Sequence, residues 1–358
     1  MGTAIRRVQL CCALVVGMAL TAWAEEALVL YGGRQEPYLH LVTLDGTVTP
    51  LRPWELGDRA ASSVVDTVDG QFAFLWVGRS GPVGMMRGRL STTDIEQTFP
   101  VKRDRDGQAG RFSLQMRDLA LDPQARRLAY IDESKGQSLC VKELSGAGGP
   151  RTLLESDQWV EAPSWSPDGS RIAVFQGKEG APVPFMYRLL VIDVQTGQAK
   201  EVAPPSKRSL AFPDGSIFPA AWRPNGRAIF FRSYYEDKDA IYDTFIYAVS
   251  PEGGPVVRMT EGSRPMVHPD GDRLYCTGAD GGLVIYNLED DTQLLHEDLY
   301  LFKISPSGKY LACHRHRAKD EPSTGPAITL TDKDGQIVKS IAIEKGQDLG
   351  GVVGWVEE

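Results

Sequence analysis

Five times along the chain a proline turn recurs: Asp122-Pro123, Ser166-Pro167-Asp168-Gly169, Arg223-Pro224-Asn225-Gly226, His268-Pro269-Asp270-Gly271 and Ser305-Pro306-Ser307-Gly308. Each leads into a short apolar run: Leu128-Ala129-Tyr130-Ile131, Ile172-Ala173-Val174-Phe175, Ile229-Phe230-Phe231, Leu274-Tyr275-Cys276 and Leu311-Ala312-Cys313. The prolines stand 44, 57, 45 and 37 residues apart. No single short sheet can bury its apolar faces alone, so a repeat of this length must cover one copy with the next. The residue types fit the turn. Proline presets φ at the first central position, Asp or Asn caps the local N–H groups, and glycine takes the positive φ that follows.

Each repeat divides into four strands, which predicts an all-β β-propeller of four-stranded blades. The first strand enters the turn with an aromatic or apolar residue, as in Ala162-Pro163-Ser164-Trp165 and Pro219-Ala220-Ala221-Trp222. The second follows the turn. Runs such as Leu189–Val194, Phe245–Val249 and Leu283–Leu288 form the third, and a polar Gly-rich turn leads to the fourth. A less regular unit lies between 62 and 100, with Phe72-Ala73-Phe74-Leu75 after Asp69-Gly70. Near the N-terminus, Ala27–Tyr31, Tyr38–Leu44 and Val48–Leu51 supply the second to fourth strands of a blade that lacks its first. The C-terminal run Gly351–Val356, with Trp355 in the place of Trp165 and Trp222, supplies it. The ends would then share a blade and close the ring, which removes exposed sheet edges. The count is seven blades, or six if the unit at 62–100 is an insertion.

Residues 1–24 read as a cleaved secretory signal peptide. Arg6 and Arg7 form the basic region, Leu10 to Leu20 the apolar core, and Ala22-Trp23-Ala24 the small-x-small cleavage site. Residues 25–358 would form the single propeller domain, periplasmic or secreted, with no membrane span after cleavage and read as a monomer. Loss of Arg6 and Arg7 takes the formal charge from −8 to −10. That balance excludes a nucleic-acid binder, which needs a basic footprint for phosphates. Three cysteines then remain, Cys140, Cys276 and Cys313; an odd number in an exported chain cannot be fully paired. They are read as small buried apolar residues.

The signature Trp165-Ser166-Pro167-Asp168-Gly169, running on to Ile172-Ala173-Val174-Phe175, resembles the WD40-like repeat of TolB-type β-propellers. The resemblance covers five repeats well. It implies the fold and says little of activity, since the same repeat occurs in TolB, in the propeller of prolyl oligopeptidase relatives and in other exported proteins. TolB carries an additional N-terminal α/β domain, whereas the first blade here is expected to start within a few residues of the cleavage site.

In a ring of this kind the proline turns lie on one face and the long, irregular connections on the other. Variable loops on a rigid scaffold are where binding resides. The long connections are 98–114, 176–186, 202–218, 232–243 and 314–326, and they carry Lys102, Arg103, Lys207, Arg208, Tyr234 and Tyr235, which together with Trp54 and Trp159 are the candidate binding residues, because Trp, Tyr and Arg dominate binding hot spots. Trp54 lies ahead of these connections, after the strand Val48–Leu51. The turn residues Asp168, Asn225, Asp270 and His268 are read as structural. His314-Arg315-His316, followed by Asp320 and Glu321, is the sole arrangement resembling a metal site, but it lacks a third fixed ligand, and no metal or cofactor is predicted. Phe212-Pro213-Asp214-Gly215 copies the turn where no blade fits. The chain has no Gly-x-Ser-x-Gly elbow and no phosphate-binding glycine loop. The function expected is a non-enzymatic scaffold that binds an envelope or extracellular protein or peptide through its long-loop face. The alternative is a lyase or glycosidase acting on an extracellular polysaccharide, with its site at the channel mouth.

Overall fold

The computed structural model describes residues 27–32, 39–51, 60–68, 71–77, 84–89, 95–100, 119–124, 126–132, 137–143, 148–177, 186–206, 217–235, 245–315, 327–342 and 349–356. These contain strands and turns and no helix. The strands form seven four-stranded antiparallel sheets. Sheet 2 comprises Ala60–Val68, Gln71–Val77, Gly84–Arg89 and Ile95–Pro100, so the irregular unit is a sheet of its own. Sheet 4 comprises Val160–Trp165, Arg171–Gly177, Tyr187–Asp193 and Ala199–Ala203. Sheet 5 comprises Ala221–Trp222, Ile229–Ser233, Phe245–Val249 and Val257–Glu261. Sheet 6 comprises Ser263–Val267, Arg273–Thr277, Leu283–Asn287 and Gln293–His296. Sheet 7 comprises Leu299–Ile304, Leu311–Arg315, Ala327–Thr331 and Ile337–Ala342. Sheet 3 begins with Leu119–Leu121 and Arg127–Asp132 and continues through Gln137–Glu143 and Arg151–Ser156.

Sheet 1 joins the two ends of the chain. Leu349–Val356 pairs antiparallel with Ala27–Gly32, setting Trp355 opposite Leu28, and Leu39–Val42 and Val48–Leu51 complete the sheet. Sheets adjacent in order touch through a first strand: Leu349–Val356 of sheet 1 meets Ala60–Val68 of sheet 2, and Leu299–Ile304 of sheet 7 meets both sheet 6 and Leu349–Val356.

The apolar layers lie between sheets, and alternation decides which residue enters which layer. In sheet 4, Ile172, Val174, Leu190 and Ile192 pack towards sheet 3 on Ile131, Leu139 and Val141. Their neighbours Ala173, Phe175, Leu189 and Val191 pack towards sheet 5 on Ile229, Phe231, Phe245 and Tyr247. The Phe175 and Phe231 rings meet at 6.5 Å across that layer. Both faces of a blade are thus core, and its strands read as unbroken apolar runs.

The same alternation separates the cysteines. Cys276 faces the layer shared with sheet 5, while Cys313 faces the layer shared with sheet 6 and meets Tyr275 there. Cys140, Cys276 and Cys313 are all free and buried. Burial pushes the thiols of Cys276 and Cys313 up to about 12, Thr331 partly opposing the shift at Cys313. They are inert small apolar groups.

The proline turns are tied within and between blades. Gly169, Gly226, Gly271 and Gly308 take φ of 69°, 68°, 76° and 75°, which the last turn position requires. Asp168 Oδ1 accepts hydrogen bonds from Ser166 Oγ at 2.6 Å and from the Ser170 N–H at 3.0 Å. Asn225 Oδ1 accepts from the Arg227 N–H at 3.0 Å. From one turn to the next, Arg127 Nη2 donates to Gly169 O at 2.8 Å, and Arg223 Nε to Gly271 O at 3.1 Å. His268 Nε2 lies 2.9 Å from Gly308 O, so His268 continues the same linkage. Trp165 and Trp222 donate their indole N–H to Ala120 O and Ser164 O of the preceding inner strand. Trp355 instead stacks on Tyr310 at 6.3 Å, and its buried indole N–H has no acceptor among the described residues.

The Ser166 hydroxyl, with the Ser170 N–H and hydroxyl, holds the Asp168 carboxyl down at about 2. The folded value lies below the unfolded one, so this stabilisation is complete above about pH 4 and is lost as pH falls towards 2. Asp168→Asn should therefore cost on the order of 1 kcal/mol at pH 7, a figure already discounted for this exposed position. The cost should vanish near pH 2, as urea unfolding of both proteins across that range would register. A pH-independent difference would exclude the carboxylate as its source.

Candidate functional site at the long-loop face

The long-loop face begins where second strands end and first strands begin. Trp159 stands there, between the fourth strand of sheet 3 and the first of sheet 4, and is 50% exposed. Its backbone is held from both sides. The Gly177 N–H donates to Trp159 O at 2.7 Å, and Ser156 Oγ receives the Gln158 N–H at 2.9 Å. Gln176 Nε2 donates to the same hydroxyl at 2.8 Å, and Arg188 Nη2 donates to Gln176 Oε1 at 2.6 Å. Arg188 also donates to Glu201 at 2.9 Å, joining three strands of sheet 4 beneath the loop. A large aromatic surface is thereby presented on a fixed base, and its ordering cost falls on folding rather than on binding.

The two tyrosines expected beside it are placed otherwise. Tyr234 is buried in the layer between sheets 4 and 5, and so it is packing rather than a surface anchor. Tyr235 is partly buried; it meets Tyr247 edge-on at 4.9 Å and donates its hydroxyl to Pro204 O at 2.9 Å. Burial pushes the Tyr235 phenol up to about 12, so it stays neutral. Both residues follow directly on strand Ile229–Ser233, where apolar contact with sheet 4 is still available. Trp54, Lys102, Arg103, Lys207, Arg208 and His316 lie outside the described residues, as do residues 1–24 and the turn copy at 212–215.

The starts of successive first strands carry side chains that sequence reading overlooked. Glu161 of sheet 4 accepts the Tyr187 hydroxyl at 3.2 Å. Phe218 precedes the inner strand of sheet 5, Arg264 belongs to that of sheet 6, and Tyr300 to that of sheet 7. The Arg264 guanidinium lies 4.8 Å from the Phe218 ring centre and 5.2 Å from that of Tyr300, between rings from the two flanking sheets. Arg232 alternates with Phe230 on the side of sheet 5 that faces sheet 6. Burial draws its guanidinium down to about 10, which leaves it cationic at neutral pH. The available signal was the pair Ala162-Pro163 and Arg264-Pro265, each ending a fixed two residues before the close of its strand.

Two histidine arrangements bear on metal binding. His314 sits in the second strand of sheet 7, opposite Tyr300 and Ile328. Among the described residues, three potential ligands converge at His268, Asp270 and Asp272. That group lies on the proline-turn face and is already engaged. His268 Nδ1 accepts the Asp270 N–H at 3.2 Å, and Asp272 Oδ2 receives Lys333 Nζ at 3.0 Å and Arg273 Nη1 at 3.2 Å. Burial works against the Asp272 charge, but the Lys333 hydrogen bond and the nearby cations outweigh it and hold the carboxyl below its ordinary value. This is a clamp between sheets 6 and 7.

No protein-family model matches the chain. Among solved structures it is similar to an oligogalacturonate lyase in complex with manganese, at 17% identity and a TM-score of 0.54, over 78% of this chain and 80% of that one. It is also similar to TolB from Acinetobacter baumannii, at 12% identity and a TM-score of 0.50, over 99% and 73% of the two chains. A Mycobacterium tuberculosis puromycin-hydrolyzing peptidase matches at 15% identity and a TM-score of 0.55, with 88% of this chain covering 53% of that one. At such identities the likeness shows the propeller fold. No helix among the described residues is long and apolar enough to cross a membrane.

Proposed function

We propose that this chain is an exported propeller that binds a protein or peptide on its long-loop face. The observation that carries the reading is Trp159, half exposed on a loop pinned by Gly177, Ser156, Gln176 and Arg188. The opposite face is spent on turn-to-turn hydrogen bonds and offers a partner little. Residues 1–24, read as a cleaved leader, set the binding in the periplasm or outside the cell. The propeller fold it shares with TolB from Acinetobacter baumannii supports the scaffold on which this reading rests.

Trp159→Ala should weaken partner binding by about 2 kcal/mol, roughly thirtyfold, because exposed tryptophans on rigid bases are typical hot spots. Its melting temperature should barely change, since the ring is half in solvent already. The measurement is cross-linked capture from an envelope extract, followed by titration of the captured partner. Asp270→Asn on the turn face serves as the control and should bind as wild type does. Equal capture by wild type and Trp159→Ala would remove the proposal.

A second reading is favoured by Arg264, a cation held against the rings of Phe218 and Tyr300 in the first strand of sheet 6: a lyase or glycosidase acting on an extracellular polysaccharide. Incubation with oligogalacturonate, with and without manganese, would reveal it through unsaturated products.

A further inference from the structure

The outer edge of each blade is its fourth strand, and an uncovered strand edge is a template for pairing with another chain. Charged side chains, prolines and bulges blunt such edges. Six of the seven outer strands have them. Val48–Leu51 contains Pro50, and the others contain charged residues such as Glu96, Glu155, Lys200, Arg258 and Lys339. Those five also pair with their neighbours across a bulge or register shift. The outer strand of sheet 6, Gln293-Leu294-Leu295-His296, contains no lysine, arginine, carboxylate or proline and pairs in unbroken register. Its leucines are 54% and 55% exposed.

The Asn287 N–H donates to Thr292 O at 2.8 Å, which fixes the alternation of the ladder. Leu294 opposite Ile285 and His296 opposite Leu283 are then the bonded pairs, so the N–H and C=O of Gln293 and Leu295 point outwards. Gln293 Oε1 accepts the Thr260 hydroxyl of sheet 5 at 2.9 Å, and His296 Nε2 lies 3.1 Å from Asp334 O of sheet 7. Alternation therefore sets Leu295 on the side of sheet 5 and Leu294 on that of sheet 7. One leucine flanks the edge on each face. Both ends of the strand are acidic. Between Arg273 and Lys303 the chain has Asp280, Glu289, Asp290, Asp291, Glu297 and Asp298 and no lysine or arginine. Glu289 to Asp291 precede the strand, and Glu297 and Asp298 follow it, beside the turn of Asp280, where Gly282 lies against Glu297. Asp298 is paired with Arg315.

We propose that this edge is a second binding site, taking an extended partner segment with two adjacent apolar residues between lysines or arginines. The segment adds a fifth strand to sheet 6. It bonds the backbone of Gln293 and Leu295, sets one apolar residue on each face beside a leucine, and places cations at the acidic ends. A second copy of this chain is disfavoured, because antiparallel pairing of two such edges sets Asp291 beside Glu297. The site is separate from the loop of Trp159, which lies between sheets 3 and 4.

The probes are the end-blocked hexapeptide KTIVTK, its counterpart ETIVTE, and KTIVTK N-methylated at its central residues, titrated calorimetrically into the full chain. KTIVTK should bind saturably, more weakly as salt rises, and should slow hydrogen exchange at the Gln293 and Leu295 amides. The other two should not bind. Leu295→Pro removes an outward N–H and no ladder bond, so it should melt near wild type and bind at least about tenfold more weakly. Leu295→Lys keeps the backbone, sets a like charge at the site and should also lose affinity, which decides the matter if the proline variant unfolds. Unchanged affinity in Leu295→Lys, or equal binding of the N-methylated peptide, would overturn the edge as the site. Equal or tighter binding of ETIVTE would overturn the basic segment as its occupant. A concentration-dependent dimer abolished by Leu295→Lys would overturn it in favour of a second copy. Trp159→Ala should bind KTIVTK as wild type does; loss there would move the peptide to the long-loop face and overturn the second site, whereas failed partner capture with KTIVTK binding intact would remove the long-loop reading alone.

Discussion

A chain ended after Asp348 should lose its cooperative fold. The missing strand Leu349–Val356 makes every backbone bond between Ala27–Gly32 and its inner neighbour. It also carries Trp355, 3% exposed, into the layer of Val42, Ala312, Ile328, Leu330 and Ile341. Removing a buried tryptophan alone costs about 3–5 kcal/mol. The lost strand adds its hydrogen bonds and leaves an open inner edge on sheet 1 as well as an uncovered face on sheet 7, so the sum approaches the whole stability of a typical domain, about 5–15 kcal/mol. Calorimetry and size-exclusion chromatography should show a broad or absent transition and self-association. A truncated protein that melts within a few degrees of the full chain would show that the terminal strand contributes little to the ring.

Asp122→Ala is the second large effect. The carboxylate is fully buried at the turn of sheet 3, where Oδ1 accepts the Arg126 and Arg127 N–H groups at 2.6 and 2.8 Å. Oδ2 pairs with Arg127 Nε at 2.9 Å. Arg127 in turn donates to Gly169 O and lies 4.6 Å above the Trp165 ring, so the residue steers a contact with the next blade. Alanine would leave two N–H groups and one guanidinium without their acceptor, which should cost about 3–5 kcal/mol. Arg127→Ala in the Asp122→Ala background should add much less than it does alone, because the two act as a unit. Denaturant unfolding of the four proteins measures this; additive losses would show that Asp122 and Arg127 work independently.

Much of this architecture is legible in the chain because turns are local. Pro167, Asp168 and Gly169 specify a turn by their own φ preferences and hydrogen bonds, whatever surrounds them. Trp355 points to the terminal strand because it repeats, near the end of an apolar run, the tryptophan of Trp165 and Trp222. The site is less legible. Tyr234 and Tyr235 look in sequence like exposed aromatics of a long connection, yet they pack on sheet 4. A blade is buried on both faces, so the period-two contrast that elsewhere tells inside from outside is missing. Arg264 resembles an ordinary strand residue, because its left-handed φ shows only in the register slip against Arg273–Thr277.

The sequence by itself therefore determined the repeat, its turn chemistry and the strand that unites the termini, since each depends on residues close together along the chain. Only the tertiary structure decided which aromatic side chains are buried and which stand exposed. It turned Tyr234 inward, held Trp159 out on a pinned loop, and set Arg264 between rings more than thirty residues away on either side. Those outcomes depend on contacts between blades, and such contacts exist only once the sheets have packed around their common axis.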